Sequence, residues 1–476
     1  MVAVQRFRLS KSRVTAGLQC SRRLWLAVHR PELEVYPADA RQRFAAGHDV
    51  GAVARTLWPG GVLVGEDVSL SQAVRETQAL LARPGDVTIF EATFRHRGVL
   101  VRADVLSRRD GRHRMVEVKS TTRLKENHLQ DVAIQAWVVE GAGVPLDVMT
   151  VAVIDTDFVY PGGGDYRGFL REIPVADQVR PLLAQVPGWV RGLEEVLAGP
   201  LPDVRLGAQC RRPYDCPFLP WCEEQAGMRR PAGEKEEEDG GAAAEAPPAP
   251  DPSLAVLDPA AAELLAGLPY PRFYLDFETV QFAVPRWPGT RPYQQLVFQW
   301  SCHVEEAPGV LRHEGFLDLS GEPPMRAAAE ALLRAVGGEG PIFVYHDFEK
   351  WRLVEMALMF PDLAADLEAV TGRLVDLLRL TRAHYDHPDL NGSYSLKTVL
   401  PTVAPELSHG DLGEVRDGLS AQAAYHEASD PATTPERREE LRRALWRYCR
   451  LDTFALVRLA QRLEGRPPTP AAAAEG

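Results

Sequence analysis

Asp104, Glu117 and Lys119 are spaced to act together. They lie in GVLVRADVLSRRDGRHRMVEVKS, where two runs of alternating apolar residues flank Asp110-Gly111, a dipeptide that favours a two-residue hairpin turn. With the turn centred there, paired residues have numbers summing to 221. That sets Asp104 opposite Glu117 and Arg102 opposite Lys119, all on one face of the hairpin. Facing carboxylates repel unless they share a proton or a cation, and a divalent metal held by oxygen ligands resolves the conflict. Lys119 would then stabilise charge developing on a phosphate or orient an attacking water. The alternative is a solvated hairpin face with cross-strand salt pairs. Lysine is scarce in this chain, six against 48 arginines, so a lysine at such a position carries weight.

A second set of acids lies far downstream. PRFYLDFETV reads as a strand with Phe273, Leu275 and Phe277 on one face and Asp276 and Glu278 side by side on the other. ERREELRRALWRYCRLDTFALVRLAQRL reads as a long amphipathic helix with a stripe of Leu441, Leu445, Tyr448, Asp452, Leu456 and Leu459. An aspartate inside an apolar stripe is costly unless something cationic compensates, and Tyr448 lies one turn before it on the same face.

Six cysteines stand at 20, 210, 216, 222, 302 and 449. Cys210, Cys216 and Cys222 are evenly spaced in CRRPYDCPFLPWC, and Cys20 is the one other cysteine ahead of residue 229. In a cytoplasmic chain such a set implies metal binding or catalysis rather than disulfides, and zinc is one reading, although the close CxxC pair usual in structural zinc sites is absent. Cys302 and Cys449 read as small buried hydrophobes.

The elements that must position these groups divide into two α/β domains. Residues 229–252 lose all apolar periodicity and hold a glycine-, alanine- and glutamate-rich run, which predicts a disordered linker between a domain over 1–228 and one over 253–464. Residues 465–476 read as a disordered tail. In the first domain ENHLQDVAIQAWVVEGAG predicts a helix after the hairpin, with Gln135 four residues past Asp131. At 476 residues, 45% apolar and 25% charged, the chain has ordinary globular composition. It has no apolar stretch of membrane-spanning length and no signal-peptide core, so it is expected to be cytoplasmic. The net charge of −12 argues only weakly against nucleic acid and is uninformative as a sum, because residues 1–30 hold Arg6, Arg8, Lys11, Arg13, Arg22, Arg23 and Arg30 and no acid.

Taken together, the first set resembles the PD-(D/E)xK nucleases of the RecB-like family, which implies a restriction-endonuclease-like fold. By that resemblance Asp104 and Glu117 bind metal, Lys119 is catalytic and Gln135 supports the site. His48, in RQRFAAGHDVGAVAR, would be a further metal ligand, with Glu91 in TIFEATF a weaker one. Val139 stands where many relatives carry a tyrosine. The cysteine at 20 followed by Arg22-Arg23-Leu24-Trp25, with three more after the core, resembles the iron–sulfur members of that family and implies a [4Fe–4S] cluster on Cys20, Cys210, Cys216 and Cys222. The DxE strand and YxxxD helix resemble the DEDD 3′–5′ exonucleases of the DnaQ-like, RNase H fold superfamily. This implies that Asp276, Glu278 and Asp452 hold two metal ions and that Tyr448 positions the attacking water. The fourth acid falls on Glu349 in HDFEKWRL, with Asp347 as the rival or a helix N-cap. Asp376 reads as a supporting acid or a plain strand end, Lys397 as a phosphate-receiving residue at a helix start or a solvated one, and TRPYQQLVFQW as a base-stacking surface or a core strand.

The expectation is therefore a metal-dependent DNA nuclease, using Mg2+ or Mn2+, acting on single-stranded DNA ends in repair, recombination or defence, with a helicase or other repair protein as a possible partner. The rivals are a nucleic-acid-binding scaffold with one inactive module, an RNA-directed exonuclease, and a zinc- or iron-containing regulator.

Overall fold

The structure is a computed structural model that describes residues 9–36, 38–65, 67–228, 250–407 and 412–470. Most of the expected linker (229–249), the end of the expected tail (471–476), and Arg6 and Arg8 lie outside the described residues. The fold is mixed α/β, and the chain divides into two units. The first comprises 1–239 with 282–293, the second 240–281 with 294–476. The twelve residues Phe282–Tyr293, which the sequence placed in the second domain, thus group with the first. Ala283 and Val284 pack with Val50, Ile154 and Phe169, and the Tyr160 N–H donates to the Thr290 carbonyl at 2.9 Å.

The first unit is built on a seven-stranded mixed sheet. Its long strands are β1 (Val87–His96), β2 (Val99–Arg109), β3 (Arg112–Lys119) and β4 (Val148–Ile154), with β5 (Leu170–Pro174) at one edge. Strands β2 and β3 form the expected hairpin. Asp110 and Gly111 both have positive φ, 50° and 77°, as a tight turn of this type demands. The pairs run from Arg109–Arg112 to Val105–Val116, in the register whose numbers sum to 221. There the ladder stops and the strands part. The Asp104 carboxylate spans the opening by accepting the Val118 N–H at 2.7 Å, and neither the expected Asp104–Glu117 pair nor the expected Arg102–Lys119 pair is made. Beyond the gap the short strand Leu9–Ser10 pairs in parallel with Val99–Leu100. It delivers helix α1 (Lys11–Gln19), capped by the Ser10 hydroxyl, to the same opening. Helices α2 (Ser21–His29) and α3 (Ala38–Leu57) precede the sheet, and α4 (Glu126–Gly141) follows the hairpin. Helix α4 buries Val132, Ala133, Ile134, Ala136, Val138 and Val139 in the main core, so Asp131 and Gln135 come from its site-facing side already fixed.

The second unit has a five-stranded sheet in the order β8-β7-β6-β9-β10, with β6 (Arg272–Val280) central, β7 (Leu296–Ala307) and β8 (Val310–Leu317) antiparallel on one side, and β9 (Ile342–Val344) and β10 (Leu374–Asp376) parallel on the other. Strand alternation separates the two faces. Phe273, Leu275 and Phe277 join Trp300, Cys302 and Val304 in one core cluster, which includes helix α5 (Met325–Val336). The opposite face carries Asp276, Glu278, Gln299 and Ser301 toward α9 (Pro435–Leu463), which begins at a Thr434 cap with Pro435 in its first turn. Helices α6 (Phe348–Met359), α7 (Leu396–Val403) and α8 (Gly418–Ser429) complete the surroundings of that face. Of the two readings of TRPYQQLVFQW, its second half, Leu296–Trp300, is core strand: Phe298 and Trp300 are buried, and the Trp300 indole N–H donates to the Ala328 carbonyl. No helix among the described residues is long and apolar enough to cross a membrane.

Candidate functional site

In the first unit the parting of β2 and β3 brings Asp104, Glu117, Lys119 and Gln135 together. Glu117 is 2% exposed and is held from three directions. Lys119 Nζ stands 2.8 Å and Lys11 Nζ 2.7 Å from its Oε1, and Gln135 Nε2 donates to its Oε2. Lys119 also pairs with Asp131, to which Thr15 donates. Burial alone would raise the Glu117 carboxyl, but Lys11 and Lys119 together hold it well below the usual carboxylate range. The reverse holds for Asp104. Burial and the charge of Glu117 push it up to about 7, against the pull of Lys11 and the Val118 N–H. Burial works against the charge of Lys119, yet Glu117 and Asp131 keep its ammonium protonated above its ordinary range. The pair of acids is therefore split into one held charged and one poised near neutrality.

Asp104 and Lys119 open onto a cleft of about 860 Å³ whose walls include His48 and Arg55 of α3, Glu91 of β1 and Arg102 of β2. His48 is exposed on the cleft wall. Glu91 sits next to the Phe90–Val105 and Ala92–Ala103 pairs with φ of 55°, a left-handed conformation that costs a non-glycine residue about 1–2 kcal/mol, and burial raises its carboxyl above the ordinary value. Such strain at a cleft marks Glu91 more strongly than its sequence context did. Lys11 is the residue that sequence reasoning missed. Its scarcity as a lysine was the one available signal. Val139, at the family's tyrosine position, is core.

Cys20, Cys210, Cys216 and Cys222 line one pocket, with Arg22, Arg23, Leu26 and Phe218 in its walls. Cys20 occupies the N-cap position of α2 without a side-chain capping hydrogen bond, and Cys222 lies on the short helix Leu219–Gln225. The Cys216 N–H donates to the Cys210 carbonyl at 2.8 Å, and Gln19 Nε2 donates to the carbonyls of Gln209 and Tyr214, tying α1 to the loop. Burial pushes the Cys216 thiol up to about 11 and raises Cys222, whose thiol is drawn back by Arg22.

In the second unit Asp276, Glu278, Glu349, Asp452 and Tyr448 gather on the face between β6, α6 and α9. Glu278, Glu349, Asp452 and Tyr448 are buried. Burial and the neighbouring acids raise Asp276 and Glu278 well above the carboxylate range. Burial drives Glu349 up to about 8 although the backbone N–H groups of Glu349 and Phe277 favour its charged form. The Tyr448 phenol is raised by burial and by Asp452, with which it hydrogen-bonds, and so keeps its proton. Asp347 is exposed at the α6 N-cap position without a capping hydrogen bond, and Asp376 caps the helix Leu377–His384 through the Arg379 N–H. Lys397 is exposed and donates to the Arg416 carbonyl. Cys449 is buried, as a small hydrophobe would be, and its thiol also donates to Asp276 Oδ2, with Sγ 3.6 Å from that oxygen. Among the described residues, Asp276, Glu278 and Cys449 form the one group of three or more potential metal donors lying within 4.8 Å of one another.

A family model described as a Domain of unknown function (DUF2779) matches residues 273–395, a span that contains Asp276, Glu278 and Glu349 and stops short of Tyr448 and Asp452. No curated protein matches the chain.

Proposed function

We propose that the chain is a metal-dependent nuclease with two hydrolytic modules, a restriction-endonuclease-like PD-(D/E)xK module stapled by a [4Fe–4S] cluster and an RNase H-like DEDD module, acting on single-stranded DNA ends in the cytoplasm in repair, recombination or defence, alongside a helicase or other repair protein. The observation that carries this reading is the convergence of Asp104, Glu117, Lys119 and Gln135, from two strands and a helix, with Asp104 and Lys119 opening onto a cleft walled by Arg55 and Arg102 and Glu117 and Gln135 buried behind them. Arg55 and Arg102 offer charge to a phosphate backbone. Asp104 and Glu117 present carboxylate oxygens suited to Mg2+ or Mn2+. Such an ion, when bound, polarises a phosphoryl oxygen and lowers the pKa of a water. Gln135 fixes the orientation of Glu117, and Lys119 holds a permanent positive charge where negative charge develops on the phosphate. In the second module Asp276, Glu278, Glu349 and Asp452 would hold divalent ions, and Tyr448, still protonated, can hydrogen-bond and orient a water.

Cysteine spacing in three dimensions favours a cluster over zinc. Thiolates on one tetrahedral zinc stand about 3.8 Å apart, given Zn–S bonds of about 2.3 Å. Among the described residues no three of Cys20, Cys210, Cys216 and Cys222 lie within 4.8 Å of one another, yet all four face one pocket beside Arg22 and Arg23, whose charge suits an anionic cluster. The test is iron and acid-labile sulfide analysis of anaerobically purified protein. The reading expects about four iron atoms per chain, lost in Cys216→Ala; stoichiometric zinc without sulfide would overturn it.

A further inference from the structure

We propose that Cys449 is a ligand of the divalent ion held at the C-terminal carboxylates, beside Asp276 and Glu278, and that its sulfur makes this site select a zinc-class ion over magnesium. The inference rests on reading this unit as a metal-ion site and names the class of ion it takes. One donor atom from each of the three residues lies within 4.8 Å of the other two. The Sγ to Asp276 Oδ2 distance is 3.6 Å, close to the span of about 3.5 Å that sulfur and oxygen keep across a tetrahedral zinc. Both elements that present the donors are anchored. Asp276 and Glu278 sit on the central strand, and Cys449 is fully buried on α9 between Leu445 and Thr453, so the donors are held in place before an ion arrives.

Two further observations point to an ion. Glu278 is 7% exposed, yet among the described residues its carboxylate has no hydrogen-bond or ion-pair partner. The groups acting on it are Asp452, Glu349 and Asp417, with the exposed Lys397 the one cation among the strongest. A buried carboxylate in such company is destabilised unless a proton or a cation joins it, and an ion that displaces the proton satisfies Glu278, Asp276 and Cys449 together. The donor set then decides which cation. Magnesium requires oxygen ligands in near-octahedral array and keeps its waters, whereas a thiolate among carboxylates suits zinc and cobalt(II).

Cobalt(II) is the probe, because a thiolate ligand adds a charge-transfer band in the near ultraviolet that oxygen ligands do not. The full chain, its Cys449→Ser variant and its Asp276→Asn variant are titrated with cobalt(II) chloride and then competed with zinc and with magnesium. Cys20, Cys210, Cys216 and Cys222 are common to all three proteins and cancel in difference spectra. The proposal expects a charge-transfer band in the wild-type-minus-Cys449→Ser difference. It also expects a loss of about tenfold or more in zinc affinity in Cys449→Ser with magnesium affinity little changed, and loss of the site in Asp276→Asn. Cobalt bound in an Asp276-dependent way with no difference between wild type and Cys449→Ser would overturn the sulfur ligand and leave the carboxylate metal site standing. No Asp276-dependent binding of any of the three ions would overturn both. Serine is nearly isosteric with cysteine, and matched circular dichroism melts exclude misfolding as the cause.

Discussion

Lys11 illustrates how a single side chain can complete a site that its sequence neighbours do not announce. Its ammonium and that of Lys119 share one oxygen of a carboxylate that is 2% exposed. Replacing Lys11 by Ala removes one of two cations from a buried charge, so we expect a loss of about 1–3 kcal/mol in denaturant unfolding of the first unit. We also expect a larger stabilisation by Mn2+ than wild type shows, since the ion restores the missing charge. Unchanged stability would place Lys11 outside the site. Glu349 gives a prediction of opposite character. Its carboxyl rests at about 8 in the fold and near 4.5 when unfolded. Between those values the folded chain keeps a proton that the unfolded chain has released, so stability falls as pH rises through that window and levels above it. Buried His303 and His313, pulled down to about 2 and about 4 chiefly by burial, act the other way, but only below their usual 6.5. Read between pH 7 and 8 without divalent ions, the melting temperature should fall more steeply in wild type than in Glu349→Gln; equal slopes would contradict the shift. The hairpin and its register as far as Val105–Val116 were legible because they follow from local turn chemistry, whereas the direct pairing of Asp104 with Glu117 and of Arg102 with Lys119 is not made. Lys11 and Cys449 were not, since their partners lie 106 and 173 residues away, at distances where only tertiary pairing decides who meets whom.

At the level of elements, the first site exists because a ladder ends. The Asp110-Gly111 turn sets the register, and the strands part after Val105–Val116, which frees Asp104 and Glu117 from regular pairing while keeping them in line. Gly111 has φ of 77° and open space around its absent Cβ, so the cost of a side chain there is conformational alone. Gly111→Val should destabilise the first unit by about 1–2 kcal/mol and lower its metal-dependent activity more than its stability loss explains. An effect on stability alone would mean that the register tolerates a different turn. Helix α9 was readable from its stripe because every one of Leu441, Leu445, Tyr448, Asp452, Leu456 and Leu459 is buried. The parting of β2 and β3 was not readable, since strand alternation continues unbroken through residues 101–104 and gives no sign that pairing has stopped.

Across the whole molecule, the composition indicated mixed α/β structure on either side of a linker, and the motifs indicated which residues to examine in each unit. The segment Phe282–Tyr293 escaped, because its prolines and glycine read as an ordinary loop and nothing periodic signals that Ala283 and Val284 are buried in the first unit. The central claim is that two separate metal-dependent sites hydrolyse phosphodiesters. The most direct measurement is degradation of 5′-labelled and 3′-labelled DNA single strands with Mg2+, Mn2+ or Zn2+ by wild type, Lys119→Ala, Asp452→Ala and the double variant. The account predicts that each single change removes one product pattern, by about a hundredfold or more, with digestion from 3′ ends lost in Asp452→Ala, and that the double variant is inert. Full activity in the double variant, or no metal-dependent cleavage by wild type, would contradict it.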